Sequence, residues 1–346
     1  MKTMAGTLSA PFPYFGGKSG ACEQVWAAFG RVDNYVEAFA GSAAMLLGAP
    51  DGKRVSTIND ADGFVANFWR AIASNPEAVA DAADWPCNET DLFSRHSWLV
   101  WQSQTLTDRL HNDPDWFDAR VAGIWCWGAC NWIGSGWCSG TGPWVHDGET
   151  IVDSRQLPHL GDAGRGINRQ LPHLGNAGLG INRQLPHLGN AGRGDMHPRR
   201  AYIFEWFRLL HDRLRDVRVT AGDWSRVVKD SVTTRHGLTG VFLDPPYTKG
   251  AMDYGNGGMG LEISDDVRAW CKSNGDDKNL RIVLCGHAGE HDELLTAGWQ
   301  IRTWTARKGY ALTDEAVANS ASETLWCSPH CIAEKIQQHD LFAAAA

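Results

Sequence analysis

The chain has 346 residues, with 32 Lys and Arg against 40 Asp and Glu, for a formal net charge of -8. A composition that is 43% hydrophobic and 21% charged excludes a disordered, collagen-like or fibrous protein, and the length allows one large domain with an insert, or two domains. No stretch approaches the ~18 apolar residues of a membrane helix. Met1 to Ala10 lack a basic segment followed by a long apolar run, so no secretory signal and a cytoplasmic location are expected. The nine Cys then read as free thiols rather than a disulfide framework. Cys126/Cys130 and Cys327/Cys331 are CxxxC pairs without the further ligands a zinc site needs. Buried Cys acting as small hydrophobes is the better reading, and no metal is expected.

In chain order, Asn34-Tyr35-Val36-Glu37 reads as a short strand, followed by a helix former at Ala43 to Leu47. Val55 to Asn59 is a second strand. Ala61 to Ala73 follows with Phe64, Val65, Phe68, Trp69 and Ile72 at helical spacing. This alternation predicts βαβ units and a parallel sheet. Residues 76–199 break it. Nine of the 17 Trp fall between Trp85 and Trp144, in a part with one or two helical stretches. A Gly-rich run over 134–140 follows. Then Arg-Gln-Leu-Pro-His-Leu-Gly recurs from Arg155, Arg169 and Arg183, a period of 14 residues covering 155–196. A Pro and three Gly per unit exclude a continuous helix. The copies are either a looped insert or a recent duplication with no role of its own. Alternation resumes with a helix over Arg200 to Asp216, strands at Val217–Thr220 and Thr239–Leu243, and a helix around Ser264–Lys272. Strands at Arg281–Cys285, Gln300–Thr305 and Glu323–Cys327 complete it. The expected organisation is an α/β domain of residues 11–75 and 200–335, split by an insert at 76–199.

The sharpest chemical signal is Phe242-Leu243-Asp244-Pro245-Pro246-Tyr247. An apolar strand ends in an Asp, two prolines and an aromatic. Ligands of open α/β sheets sit beyond the carboxyl ends of the strands. Asp244 and the Pro245 carbonyl each accept one N–H, and Tyr247 offers a stacking ring, so the tetrad suits a planar amino group. Its bland alternative is a strand-ending turn. Glu37-Ala38-Phe39-Ala40-Gly41-Ser42 is a small-residue turn that lets a ligand approach backbone N–H groups. Asn59-Asp60 ends the second strand, where a carboxylate is placed to hold a ribose diol. Tyr14-Phe15-Gly16-Gly17-Lys18 joins an aromatic, a flexible turn and a cation that suits a carboxylate.

These four motifs, in this order, resemble the DNA N6-adenine methyltransferases of the Dam-like class over roughly residues 11–75 and 200–290. The resemblance implies a Rossmann-like methyltransferase sheet with a helical or irregular target-recognition insert, and S-adenosylmethionine as methyl donor. It implies that Tyr14, Phe15, Gly17 and Lys18 touch the cofactor and that Glu37, Phe39, Ala40, Gly41 and Ser42 line its methionine end. Asp60 would bind the ribose. Asp223 would read the cofactor's adenine, flanked by Trp224, and Asp244 to Tyr247 would form the catalytic motif. The chain departs from the family's usual Glu-Pro-Phe in reading Glu37-Ala38-Phe39, and the Trp-rich segment and repeats match no known recognition element, so no target sequence transfers.

DNA is the implied partner, with no obligate protein partner and no membrane. The overall charge opposes DNA, but residues 155–218 carry a net +6 and the remainder -14. Phosphate contact is local, so Arg155, Arg169, Arg183, Arg199 and Arg200 are the candidate DNA face. The alternative is a solvated loop kept soluble by its Arg. Cytosine N4, RNA adenine and a protein amide are rival acceptors, of which Asp244 favours adenine by resemblance. A silent nucleic-acid-binding relic is the rival from another class. There is no recognisable nuclease constellation, so a stand-alone methylase is expected.

Overall fold

The computed structural model describes residues 8–14, 18–132, 137–138, 144–146, 151–153, 197–246, 260–303 and 323–333. Phe15, Gly17, Tyr247 and the repeats with Arg155, Arg169 and Arg183 lie outside the described residues. The sheet strands are β1 (Asn34–Glu37), β2 (Val55–Asp60), β5 (Val217–Ala221), β6 (Thr239–Leu243), β7 (Leu280–His287), β8 (Gln300–Thr303) and β9 (Glu323–Cys327). A separate two-stranded ribbon pairs β3 (Trp144–His146) with β4 (Ile151–Asp153). The seven strands lie in the order β5-β2-β1-β6-β7-β9-β8. β5, β2, β1, β6 and β7 are parallel, and β9 runs antiparallel between β7 and β8. The fold is therefore α/β with a mixed, mostly parallel seven-stranded sheet, compatible with a Rossmann-like fold.

Every residue of β1 and β6 is buried, as expected of parallel strands covered on both faces. Successive side chains divide between two cores with period 2. Tyr35, Phe242, Val283, Cys285, Leu325 and Cys327 enter one core. Val36, Val241, Leu243, Ile282, Leu284 and Trp326 enter the other.

The first core is closed by helices α1 (Cys22–Phe29), α2 (Ala44–Leu47), α3 (Gly63–Ser74), α4 (Pro76–Ala83), α5 (Glu89–Asn112), α6 (Ala119–Asn131) and α7 (His197–Leu214). The second is closed by α8 (Gly260–Asn274) and short turns. Side-chain caps start α3 to α6. Asp62 accepts from Phe64 N–H at 2.7 Å and Asn75 from Ala78 N–H at 3.1 Å. Asn88 accepts from Asp91 N–H and Asp118 from Val121 N–H, both at 2.8 Å. Such caps contribute about 1 kcal/mol each.

The helices of 76–131 are continuous with the core of the split sheet block. Phe12 packs 5.1 Å from Phe68 and 4.8 Å from Trp125. A Cβ on Gly123 would fall on Ala82 and the Val79 carbonyl, so α4 and α6 touch through backbone. The Arg95 guanidinium lies 4.5 Å above Trp85 and 4.6 Å above Trp127. The helix α1 falls in a segment that reads as loop in the sequence, and α4 precedes the Trp-rich part. The seven sheet strands fall where the sequence places them, residues 304–305 of the expected β8 lying outside the described residues, whereas the β3–β4 ribbon was not expected.

Candidate active site

Strand pairing aligns the carboxyl ends of β5, β2, β1 and β6. Glu37 lies opposite Ile58 on one side and Phe242 on the other, and Asp60 lies opposite Ala221. The chain leaves β1 for β2 on one side and later returns to β6 on the other. The strand order thus reverses between β1 and β6, and ligands bind at that kind of switch point. Adjacent strands are about 4.8 Å apart, so the row from the end of β5 to the end of β6 spans roughly 14 Å.

Main-chain bonds knit this edge. Ala38 N–H donates to the Phe242 carbonyl at 3.3 Å, Ala40 N–H to the Asn59 carbonyl at 2.8 Å and Gly222 N–H to the Asp60 carbonyl at 2.9 Å. The buried Asn59 amide donates to the carbonyls of Ala38 (3.1 Å) and Gly222 (2.9 Å), while its oxygen accepts from the Thr220 hydroxyl at 2.9 Å. One side chain thereby fixes the turns after β1 and β5. The sequence reading passed over Asn59 in favour of its neighbour Asp60.

The turn after β1 is tight. Gly41 has φ +46°, and Ala43 has φ +50°, a left-handed conformation that costs a non-glycine residue about 1 kcal/mol or more. Gly41 N–H donates to Asp60 Oδ2 at 2.8 Å, and Trp69 Nε1 donates to the Gly41 carbonyl at 2.9 Å. A Cβ at Gly41 would run into the Tyr14 ring. Tyr14, Gly41 and Asp60, distant in sequence, therefore meet. The second Asp60 oxygen accepts from Asp62 N–H at 2.9 Å. Burial pushes this carboxyl up to about 7, with Asp62 acting in the same direction.

Glu37 is 2% exposed. Its Oε2 accepts from the Tyr35 hydroxyl at 3.1 Å and Leu46 N–H at 3.0 Å. Burial drives its pKa up to about 8 against the hydrogen bonds that lower it. The helix α2 is a single turn, and its Leu46 N–H is already bonded to Glu37, so the helix N-terminus expected after β1 offers less than a long helix would. Ala40 is buried, and Ser42 and Phe39 are half-buried.

Phe39 stacks on Trp224 with centroids 6.2 Å apart and planes at 27°. Trp224 belongs to the second core. Asp223 is exposed and caps its own turn, accepting from Ser225 N–H at 2.9 Å.

Asp244 directly follows β6, and Pro245 is buried beside it. Neither Pro245 nor Pro246 has an N–H, so the strand cannot extend its ladder through them. Lys18 Nζ lies 3.3 Å from Asp244 Oδ2 and 3.3 Å from Glu323 Oε1, with the Lys18 side chain only 4% exposed. Burial alone would lower the Lys18 pKa; Asp244, Cys285 and Glu323 more than offset it and raise it above its ordinary value. Lys18 is thus set against carboxylates of the protein itself, where the resemblance implies a cofactor contact. Sequence reasoning missed Glu323. Its one signal is a lone acid opening an otherwise uncharged strand, Thr324-Leu325-Trp326-Cys327, and it lies opposite His287 in the antiparallel register.

Of the arginines assigned to DNA, Arg199 lies in α7 with its side chain outside the described residues. Arg200 is ion-paired with Asp81 of α4 and with Asp84 just after it, its guanidinium 4.5 Å above the Phe204 ring. Among the described residues, no group of three or more His, Cys, Asp or Glu side chains is arranged to hold a metal ion, and no helix is long and apolar enough to cross a membrane. A scan against protein-family models matches none, and a search of curated proteins returns no match.

Proposed function

We propose that this chain transfers a methyl group from S-adenosylmethionine to an exocyclic amino group, the N6 of adenine in DNA. The observation that carries the reading is convergence. Tyr14 and Lys18, Glu37 to Ser42, Asp60 and Asp244 span some 230 residues of sequence, yet they meet along one edge of the sheet, on either side of its switch point.

The residues present suit such a cofactor. Asp60 is held at the edge by Gly41 and Asp62, the right chemistry for a ribose diol. Phe39 is half-buried on the same row, and Asp223 is exposed at its far end. S-adenosylmethionine, when bound, supplies an electrophilic methyl carbon on a positively charged sulfur. The protein does the rest by positioning. The target base is unstacked from the duplex, since its N6 is otherwise unreachable. Asp244 and the Pro245 carbonyl accept the two N6 hydrogens and turn the nitrogen lone pair toward the methyl carbon. On taking the methyl group from the sulfonium, N6 would become positive and release one proton toward Asp244. The carboxylate stabilises that charge while it develops.

DNA contact is assigned to the positive stretch 155–218, which in its described part already uses Arg200, Arg208 and Arg213 within the fold. Asp244→Ala tests the reading. Methylation of DNA from a host lacking adenine methylation falls by about 10²–10³ or more, while S-adenosylmethionine affinity by calorimetry stays within a few-fold of wild type. Near-normal turnover in this variant removes Asp244 from the chemistry.

A further inference from the structure

We propose that Glu323 is a positioning residue for the methyl-transfer step: it holds Lys18 against Asp244 and supplies the second negative charge that keeps this cluster anionic. The inference rests on the methyltransferase reading above. A carboxylate that accepts a reacting amine must present net negative charge to a nitrogen that is becoming positive. A lysine 3.3 Å away works against this, because an isolated Asp–Lys pair is neutral as a unit. Glu323, 3.3 Å from the same ammonium, restores a net charge of minus one to the three groups. Lys18 then bridges two carboxylates and orients Asp244 without cancelling it.

Burial makes this balance matter. Lys18 is 4% exposed, Asp244 20% and Glu323 16%, so solvent screening is weak and the charges act on one another at low effective dielectric. The placement of Glu323 is built in. The antiparallel register sets it opposite His287 at the carboxyl end of β7, on the same edge as Asp244 at the end of β6. Among the described residues, the groups facing the cluster are Cys285 and His287 of β7, Glu37 of β1, and Glu290, whose Oε2 accepts from His287 N–H at 2.9 Å. Burial raises the Glu323 carboxyl, Lys18 and His287 pull it down, and Asp244 pushes it up; the net direction is upward. Its charge is therefore lost on acidification above the ordinary glutamate range.

Glu323→Gln in the full-length chain is the test. The glutamine oxygen still accepts from Lys18, so geometry is retained and one charge is removed. With labelled S-adenosylmethionine and DNA lacking adenine methylation, kcat falls about tenfold or more, the weight of one partly screened charge near the reacting nitrogen. S-adenosylmethionine affinity and melting temperature stay near wild type. The acid limb of the wild-type kcat–pH profile loses the component that Glu323 contributes, and Glu323→Asp recovers part of the rate. Unchanged kcat and an unchanged pH profile in Glu323→Gln, beside an active wild type, overturn the assignment. So does parallel loss of cofactor binding and thermal stability, which marks a purely structural role. A wild type that methylates nothing overturns the methyltransferase reading itself, and this inference with it.

Discussion

At the carboxyl edge of the sheet, Glu37, Asp60, Lys18, Asp244 and Glu323 crowd polar and charged groups into buried or half-buried positions. In the helical layer of α4 to α6, the same chain buries Leu99, Leu106, Trp125 and Trp127 with few charges, and where a cation enters, as at Arg95, it lies between two Trp rings. The helical layer gains stability from apolar area. The edge gives up some stability by burying carboxyls, and the raised pKa values of Glu37 and Asp60 are the trace of that cost. Changes in the two regions should therefore separate: one in stability, the other in binding, turnover and pH dependence.

The largest stability effect is expected in the helical layer. Trp127 is fully buried and donates its Nε1–H to the Trp85 carbonyl at 2.8 Å. Trp127→Ala should cost about 3–5 kcal/mol of unfolding free energy in urea titrations, while the folded fraction keeps wild-type affinity for S-adenosylmethionine. A variant that unfolds little but loses the cofactor would break the division.

A pH-dependent effect, different in kind, is expected at Glu37. Its folded pKa is about 8 against an ordinary 4.5, so folding takes up a proton between those limits. Stability accordingly falls as pH rises from about 5 to about 8, by up to about 1.4 kcal/mol per pH unit. Asp60, pushed up to about 7, adds a slope of the same sign at lower pH. Glu37→Gln retains an acceptor for Tyr35 and Leu46 and should flatten the Glu37 part of the slope, as measured by denaturation at pH 5 and pH 8. An unchanged slope would mean that Glu37 is ionised in the folded protein.

The smallest effect sharpens the contrast from the other side. Trp101 is 63% exposed on α5, so Trp101→Ala should change stability by no more than about 0.5 kcal/mol. If it lowers DNA affinity, measured by fluorescence anisotropy on duplex DNA, the helical layer also carries part of the DNA face.

The parallel strands and their carboxyl-end residues were legible because buried strands read as short apolar runs and because Asp244 and Asp60 close theirs. The helical layer was less so. The helix α6 is buried on nearly every side from Val121 to Asn131, and a helix apolar all round has no amphipathic period to read. Its Trp residues therefore looked like an unplaceable motif, whereas Trp125 and Trp127 form core. The helix α1 is only eight residues long, too short for a firm periodicity. Glu323 stands 305 residues from Lys18, and only the antiparallel entry of β9 beside β7 brings the two together. The ion pairs of Arg200 were not legible because its partners, Asp81 and Asp84, lie more than 110 residues away in sequence.

The most direct test of the methyl-transfer reading is nucleoside mass spectrometry of DNA from a host without adenine methylation, after incubation with the full-length chain and isotopically labelled S-adenosylmethionine. The account predicts labelled N6-methyldeoxyadenosine with no labelled methylcytosine. DNA recovered without any labelled base, together with no heat of binding when S-adenosylmethionine is titrated into the protein, would contradict it.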